Sequence, residues 1–355
     1  MIRKNARWII FAFLALFGFT FILPIISKMM GGDANQTNNA NTVAQKPLPN
    51  LDIPKFDAES AYDFTGKIIA FGPRITGTPT AQQVRIYIED QFKKFGAGII
   101  EQKFKANTYD GKSLDAVNII ARTNLQATKR ILLSAHWDSR QFADEDSDPL
   151  KRKLPVPGAD DSGSAIGTLL EIARQLQIKP LTDIGVDFVL FDAEDDGSSQ
   201  TGPMTPEQQQ ISNLSWALGS QYWAKNLHVA GYAPMYGINL DMVGARGAHF
   251  PKEGVSLQYA PAAVDKIWRV GRYLGYTNYF SEDAYGALID DHKYVNEIAH
   301  IPMVDIINLS NETGKSFGEY HHTAHDDMSI LDKETMKAVG QTVLAVLYYE
   351  QANAL

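Results

Sequence analysis

The stretch VDFVLFDAEDDG, residues 186–197, crowds Asp192, Glu194, Asp195 and Asp196 at the end of an apolar run. Other segments repeat the arrangement: His136 and Asp138 follow RILLSA, Asp160 and Asp161 sit in the turn PGADDSG, Asp241 follows YGINL, and HHTAHDD lies beyond IPMVDIIN. Like charges a few ångströms apart raise each other's pKa and cost stability. A divalent cation removes that cost. Carboxylate and imidazole donors in a chain with no cysteine point to zinc. Asp138 stands two residues beyond His136, a spacing that suits a carboxylate orienting a metal-bound imidazole.

Each segment alone has a plainer reading. A strand can end in a histidine, ADD before Ser-Gly can be a helix N-cap, and AEDDG or HHTAHDD can be a solvated turn. Five such segments, each at the end of a strand-like run or at the turn into a helix, are harder to explain that way. Residues 58–71 and 81–95 carry apolar side chains at helical spacing, as does GSAIGTLLEIARQL, and a last helix runs from Lys333 to about Ala352. Between them NIIAR, RILLSAHWD, VDFVLFD, YGINLDMVG and IPMVDIIN are short apolar runs of the kind buried on both faces. This alternation predicts one α/β domain with a central mixed, largely parallel sheet flanked by helices on both faces. In such sheets ligands collect at the carboxyl ends of the strands, where the acids and histidines fall.

The chain of 355 residues is 45% hydrophobic and carries a formal net charge of -8, so no basic stripe exists to hold nucleic acid. Arg3, Lys4 and Arg7 precede an uncharged run from Trp8 to Ser27, long enough at about 1.5 Å per residue to cross a bilayer. Residues 1–28 are therefore expected to be a membrane anchor or signal sequence with a cytoplasmic N-terminus, leaving the rest on the periplasmic or extracytoplasmic side. Residues 29–55, rich in Gly, Asn, Gln, Thr and Pro, read as a flexible linker, and residues 56–355 as the catalytic domain.

The motifs AHWDS, PGADDSGSA, FDAED, NLDMVG and HHTAHDD, in this order, resemble the zinc aminopeptidase-like superfamily over most of the region from Ser60 to Leu355. GPRITGTP near the domain start belongs to the same likeness. Within it, LIDDH at 288–292 and WALGSQYWAKN resemble glutaminyl-peptide cyclotransferases. That resemblance implies cyclisation of N-terminal glutamine in peptides or proteins to pyroglutamate, with loss of ammonia. It implies one zinc ion on Asp161, Asp195 and His322, Glu194 as the proton shuttle, and Asp241 with Asp290 as an acidic hydrogen-bonding pair. Within the acidic cluster, Asp192 is then structural and Asp196 a solvated loop residue. The two-zinc aminopeptidases of the same superfamily imply a different use: His136 and Asp241 join the ligands, and Glu194 activates water against the first peptide bond. The substrate pocket departs from the animal cyclases, which place tryptophan where His321 stands; Trp216, Trp223, Tyr320 and His321 are its expected lining here.

Overall fold

Period-two alternation inside the apolar runs is what builds a sheet buried on both sides. In the computed structural model, which describes residues 47–199, 203–310 and 316–355, the run ILLSA places Ile131, Leu133 and Ala135 in one core and Leu132 in another. VDFVLF does the same, with Val186, Phe188 and Leu190 on the first side and Val189 and Phe191 on the second.

Helices α1 (Ala58–Ala70) and α2 (Pro79–Lys94) come first, capped by the side chains of Asp57 and Thr78. Strands β1 (Gly98–Asn107), β2 (Ser113–Arg122) and β3 (Lys129–His136) follow, then α3 (Ala165–Ile178) and β4 (Ile184–Phe191). Next are α4 (Pro206–Leu214), α5 (Leu218–Lys225), β5 (Gly237–Asp241), β6 (Phe250–Lys252), α6 (Gly254–Tyr259) and α7 (Pro261–Tyr273). The order closes with β7 (Phe280–Ala284), α8 (Asp291–Tyr294), β8 (Met303–Ile307) and α9 (Lys333–Gln351).

The six-stranded sheet runs β1-β2-β4-β3-β5-β8. Strands β4, β3, β5 and β8 are mutually parallel, and β1 and β2 add an antiparallel edge. The sheet is thus mixed and largely parallel, as expected. The antiparallel strand β1 has no counterpart in the sequence reading, because GIIEQKFKAN alternates apolar and polar residues and is mostly solvated on one side. Helices α1, α2, α3, α7 and α9 supply the larger core, while α5 and the segment after α8 cover the opposite face with Trp223, Ala224 and Val295. Since the four parallel strands share a direction, their carboxyl ends lie on one edge, and the loops leaving His136, Phe191, Asp241 and Ile307 open there.

The compact unit spans Leu48–Leu355. It starts upstream of the boundary expected at Phe56, because Leu48 is buried in the main core and Leu51 and Ile53 pack against it. The apolar run at 8–27 and residues 29–46 of the expected linker lie outside the described residues. Among the described residues no helix is long and apolar enough to cross a membrane.

One buried charge ties three strands together. Asp187, in the middle of β4, accepts hydrogen bonds from Arg122 on β2 (2.8 Å), from Arg130 on β3 (2.6 Å) and from the Tyr232 hydroxyl (2.9 Å). Burial pushes its carboxyl up, but the bonds from Arg130 and Arg122 outweigh burial and leave it below the ordinary range. Asp187→Ala strands two guanidinium groups and should cost about 3–5 kcal/mol in urea unfolding. The ionised form is the one the fold favours. The contribution should therefore be complete above the unfolded pKa near ~4 and be lost as pH falls through the lower folded value. A variant whose stability matches the parent and keeps its acid dependence would refute this.

Candidate metal centre and active site

The loop after β3 and the Asp160–Asp161 turn are pinned by one residue. Arg74, fully buried between α1 and α2, donates to five backbone carbonyls: Trp137, Asp138, Pro157, Gly158 and Asp161, at 2.8–3.3 Å. Gly158 is required at the contact. Its φ is +69°, and a Cβ there would lie 2.7 Å from the Arg74 Nη2. Asp326 completes the turn from the other side by accepting from Asp160 N (2.8 Å) and Asp161 N (3.2 Å).

The acidic loop after β4 is held by carboxylates acting on backbone. Asp138 accepts from Glu194 N (3.1 Å) and Asp195 N (3.0 Å), and its Oδ1 lies 3.4 Å from His136 Nδ1. Asp192 accepts from Val117 N (2.7 Å), Ala193 N (2.9 Å) and the Thr76 hydroxyl (3.2 Å), which ties the loop to β2. Asp196, expected to be solvated, is instead half-buried beside Thr76, and burial lifts its carboxyl to about 7. Gly197, next in the chain, passes so close under the Trp216 ring that a Cβ there would clash with it.

These supports bring Asp161, Asp195 and His322 together, with one ligand atom of each within 4.8 Å of the others. His322 Nε2 is 3.0 Å from Asp195 Oδ1 and 3.7 Å from Asp161 Oδ2. The second oxygen of Asp161 faces His136 Nε2 at 2.8 Å, and Asp241 Oδ1 lies 3.4 Å from the same nitrogen. Asp161 therefore stands between two donor groups, His136 with Asp241 and His322 with Asp195. Glu194 joins His136 and Asp195 within the same reach. Asp195 Oδ2 and Asp241 Oδ1 are buried without a hydrogen-bond partner, which in a set of oxygen and nitrogen donors fits a divalent cation.

The electrostatics separate neighbouring acids. Burial, then the charge of Asp195, pushes Glu194 well above the ordinary carboxylate range. Asp195 moves the other way: burial opposes, but His322 holds it ionised. Burial lifts Asp241 to about 7. Burial would lower His136, yet the carboxylates of Asp138, Asp161 and Asp241 that surround it keep it well above its usual value, while burial and the adjacent His321 lower His322.

Asp290, the N-cap of α8, is reached through Asn239 on β5, whose Nδ2 donates to Asp290 Oδ2 (3.3 Å) and to Asp305 Oδ1 (3.2 Å). Burial and the charge of Asp290 keep Asp305 well above the ordinary range. Asp305 was missed by motif reading. Its signal was a charged residue inside the buried run IPMVDIIN, which a fully apolar strand does not need. The role of Arg74, in GPRITGTP, likewise lies wholly in its tertiary partners.

The expected pocket residues divide. Trp216 stacks on His322 (5.8 Å between centroids, 9° between planes), with the Arg140 guanidinium 4.8 Å from its ring. His321 stacks on His322 and Phe317. Trp223 is a correction: it is 0% exposed and packs on Phe191 and Tyr232 in the core of the opposite face, so it lines no pocket. The Tyr320 hydroxyl is committed to Asp160 Oδ2 at 2.5 Å, a structural tie to the residue beside Asp161. Its ring joins an apolar cluster with Met242, Ile307, Leu309, Leu288 and Phe317.

Residues 118–347 match peptidase family M28. The chain belongs to this family. A glutaminyl cyclase of Tannerella forsythia is 45% identical and superimposes with a TM-score of 0.78, covering 83% of this chain and 99% of that one. A Zn-dependent exopeptidase from Parabacteroides distasonis is 46% identical over the same shares, with a TM-score of 0.79. Among curated proteins, the glutaminyl-peptide cyclotransferase of Bothrops jararaca is 26% identical over 303 residues, 79% of this chain and 78% of its own. Zinc is the family's metal, in agreement with the donor set.

Arg74 touches no ligand side chain, yet it sets the backbone from which Asp161 and His136 project. Arg74→Ala should weaken zinc affinity by roughly 10–100-fold, as loss of ligand-supporting contacts does. Competition with a chromogenic chelator measures it; unchanged affinity would show that the turn holds its shape without the guanidinium.

Proposed function

We propose that this protein is a zinc-dependent glutaminyl-peptide cyclotransferase, converting N-terminal glutamine of peptides or proteins to pyroglutamate. The observation that carries the reading is a three-residue cation site, Asp161, Asp195 and His322, with the proton-shifted Glu194 beside it, in a chain 45% identical to a glutaminyl cyclase over 99% of that chain.

Zinc on these three residues would supply Lewis acidity to the γ-carbonyl of the glutamine. The rest is work for side chains. The α-amine attacks the γ-carbonyl carbon of its own residue, so proximity is intramolecular and the protein contributes orientation and proton transfer. Glu194 takes the proton that the amine loses and returns it to the amide nitrogen; the carbon–nitrogen bond then breaks, ammonia leaves and the lactam closes. A carboxyl raised by burial suits both halves of that transfer. Asp241, which feels the charge of Asp290, and Asp290, steadied by Asn239, would hold the departing nitrogen. Trp216 on one side and the apolar cluster around Leu288 and Phe317 on another supply walls that exclude water.

The aminopeptidase reading keeps one specific support: His136, Asp161 and Asp241 also lie within a single ion's reach. A second metal there would occupy Asp241. As for location, the run Trp8–Ser27 supports a domain tethered at the extracytoplasmic face of a membrane.

Two measurements test the reading. With a glutaminyl dipeptide amide as substrate, ammonia should appear without free glutamine, at one zinc per chain; free glutamine with two metals would overturn it. Glu194→Gln should lower kcat by about 10²–10⁴-fold with zinc still bound. In parallel, His136→Ala should leave the zinc content of the cyclase unchanged, whereas a dinuclear peptidase would lose metal.

A further inference from the structure

The loop between β3 and the Asp160 turn presents a surface that the reaction does not use. Residues 149–155 read PLKRKLP. Leu150 is 87% exposed and Leu154 49%, and between them Arg152 and Lys153 are exposed and Lys151 partly so. The segment is firmly held. Ala143 N donates to Leu154 O (2.7 Å), Val156 N to Arg140 O (3.1 Å), Leu154 N to Lys151 O (2.8 Å), and Arg152 Nε to Asp146 O (2.7 Å).

The acids of the same loop are engaged with the protein. Asp144 receives both the Nε and Nη2 of Arg140, Asp146 accepts from Asp148 N and Ala324 N, and Glu145 faces His321 at 3.4 Å. Lys151 Nζ lies 3.0 Å from the exposed His325. Glu145 and Phe142 are exposed nearer the base of the loop, and what its 149–155 tip turns outward is two leucines flanking three consecutive basic residues, on a chain whose net charge is -8.

A scattered exposed leucine is ordinary, but one at 87% on a rigid tip beside three cations has a specific complement. A convex tip needs no matching groove if its partner is a fluid layer. Leucines enter the boundary between headgroups and acyl chains, while Lys and Arg stems run along it and place their charge at the phosphates. An acidic protein surface would answer the charge but would need an apolar recess of its own for Leu150. We propose that this loop docks onto an anionic phospholipid surface, with Leu150 and Leu154 in the interface and Lys151, Arg152 and Lys153 on the headgroups. At the base of the same loop Glu145 N donates to His322 O (3.2 Å), so a docked loop fixes how far the metal centre stands from the lipid.

The absence of cysteine makes the test clean. Full-length protein carrying Leu150→Cys labelled with an environment-sensitive fluorophore is mixed with vesicles of phosphatidylcholine alone or with phosphatidylglycerol added. A second label at Ile178→Cys, exposed on the far end of α3, is the control, because any tethering by the N-terminal run acts on both. The expected result is a blue shift and a severalfold rise in emission at position 150 on the anionic vesicles only. Lys151→Glu with Lys153→Glu should abolish it, as should about 1 M salt, which shortens the screening length to about 3 Å. No response at 150, an equal response at 178, or an equal response on phosphatidylcholine would overturn the proposal. None of these readings depends on catalytic activity.

Discussion

Asp161, Asp195, Glu194, Asp241 and Asp290 occupy a space from which water is largely excluded, and their mutual repulsion is the constraint on which the surrounding structure depends. Two unit charges 4 Å apart repel by about 4 kcal/mol at an effective dielectric near 20, so an unsupported cluster of this size would open or take up protons. The fold answers with a buried guanidinium, two histidines, a set of backbone N–H groups and a donor arrangement open to a divalent cation. Arg74 carries the only guanidinium in the described residues that bonds to five carbonyls at the site's floor, and it places positive charge beneath the acids without taking a carboxylate from the metal.

Carboxylates serve here as structure as much as chemistry. Asp138, Asp192 and Asp326 each accept from main-chain N–H groups, and each fixes a loop from which a candidate ligand projects. This arrangement lets loops, which are usually mobile, hold their side chains in a fixed arrangement. The strands set only the starting points; the parallel order β4, β3, β5, β8 brings the loop origins to one edge, and the structural acids do the aiming.

Much of this was legible in the sequence, for a physical reason. Strands buried on both faces leave long apolar runs, and polar residues that interrupt or end those runs stand out, which is how His136, Asp161, Asp195 and Asp241 could be read. The antiparallel β1 was not legible because a half-solvated strand gives a weak alternating signal. Trp223 was misplaced because helical spacing does not say which face of a short helix meets the core; five residues from His228 and stacked on it, it belongs to packing. Arg74 and Asp305 were invisible as functional residues because their roles lie in tertiary partners, a set of carbonyls and a shared asparagine, that no local pattern encodes.

Glu194 and Asp195 are adjacent in sequence and driven in opposite directions, the asymmetry that the proposed division between a proton carrier and a metal ligand requires. Ala193, at φ +58°, turns the chain just before them, and Asp138 holds the amide of each, so their side chains diverge from a fixed backbone. His322 stabilises charge on Asp195, whereas burial beside that charge favours the protonated form of Glu194. Environments that push paired carboxyls apart assign acid and base roles. The same logic bears on Asp241. Its carboxyl sits at about 7, near His136 but also under the influence of Asp290. A group in that position can donate or accept a proton near neutrality when no second ion claims it. As a ligand to a second ion it would be fixed in the ionised state, so under the proposed reaction a single zinc is what would leave Asp241 free to carry a proton.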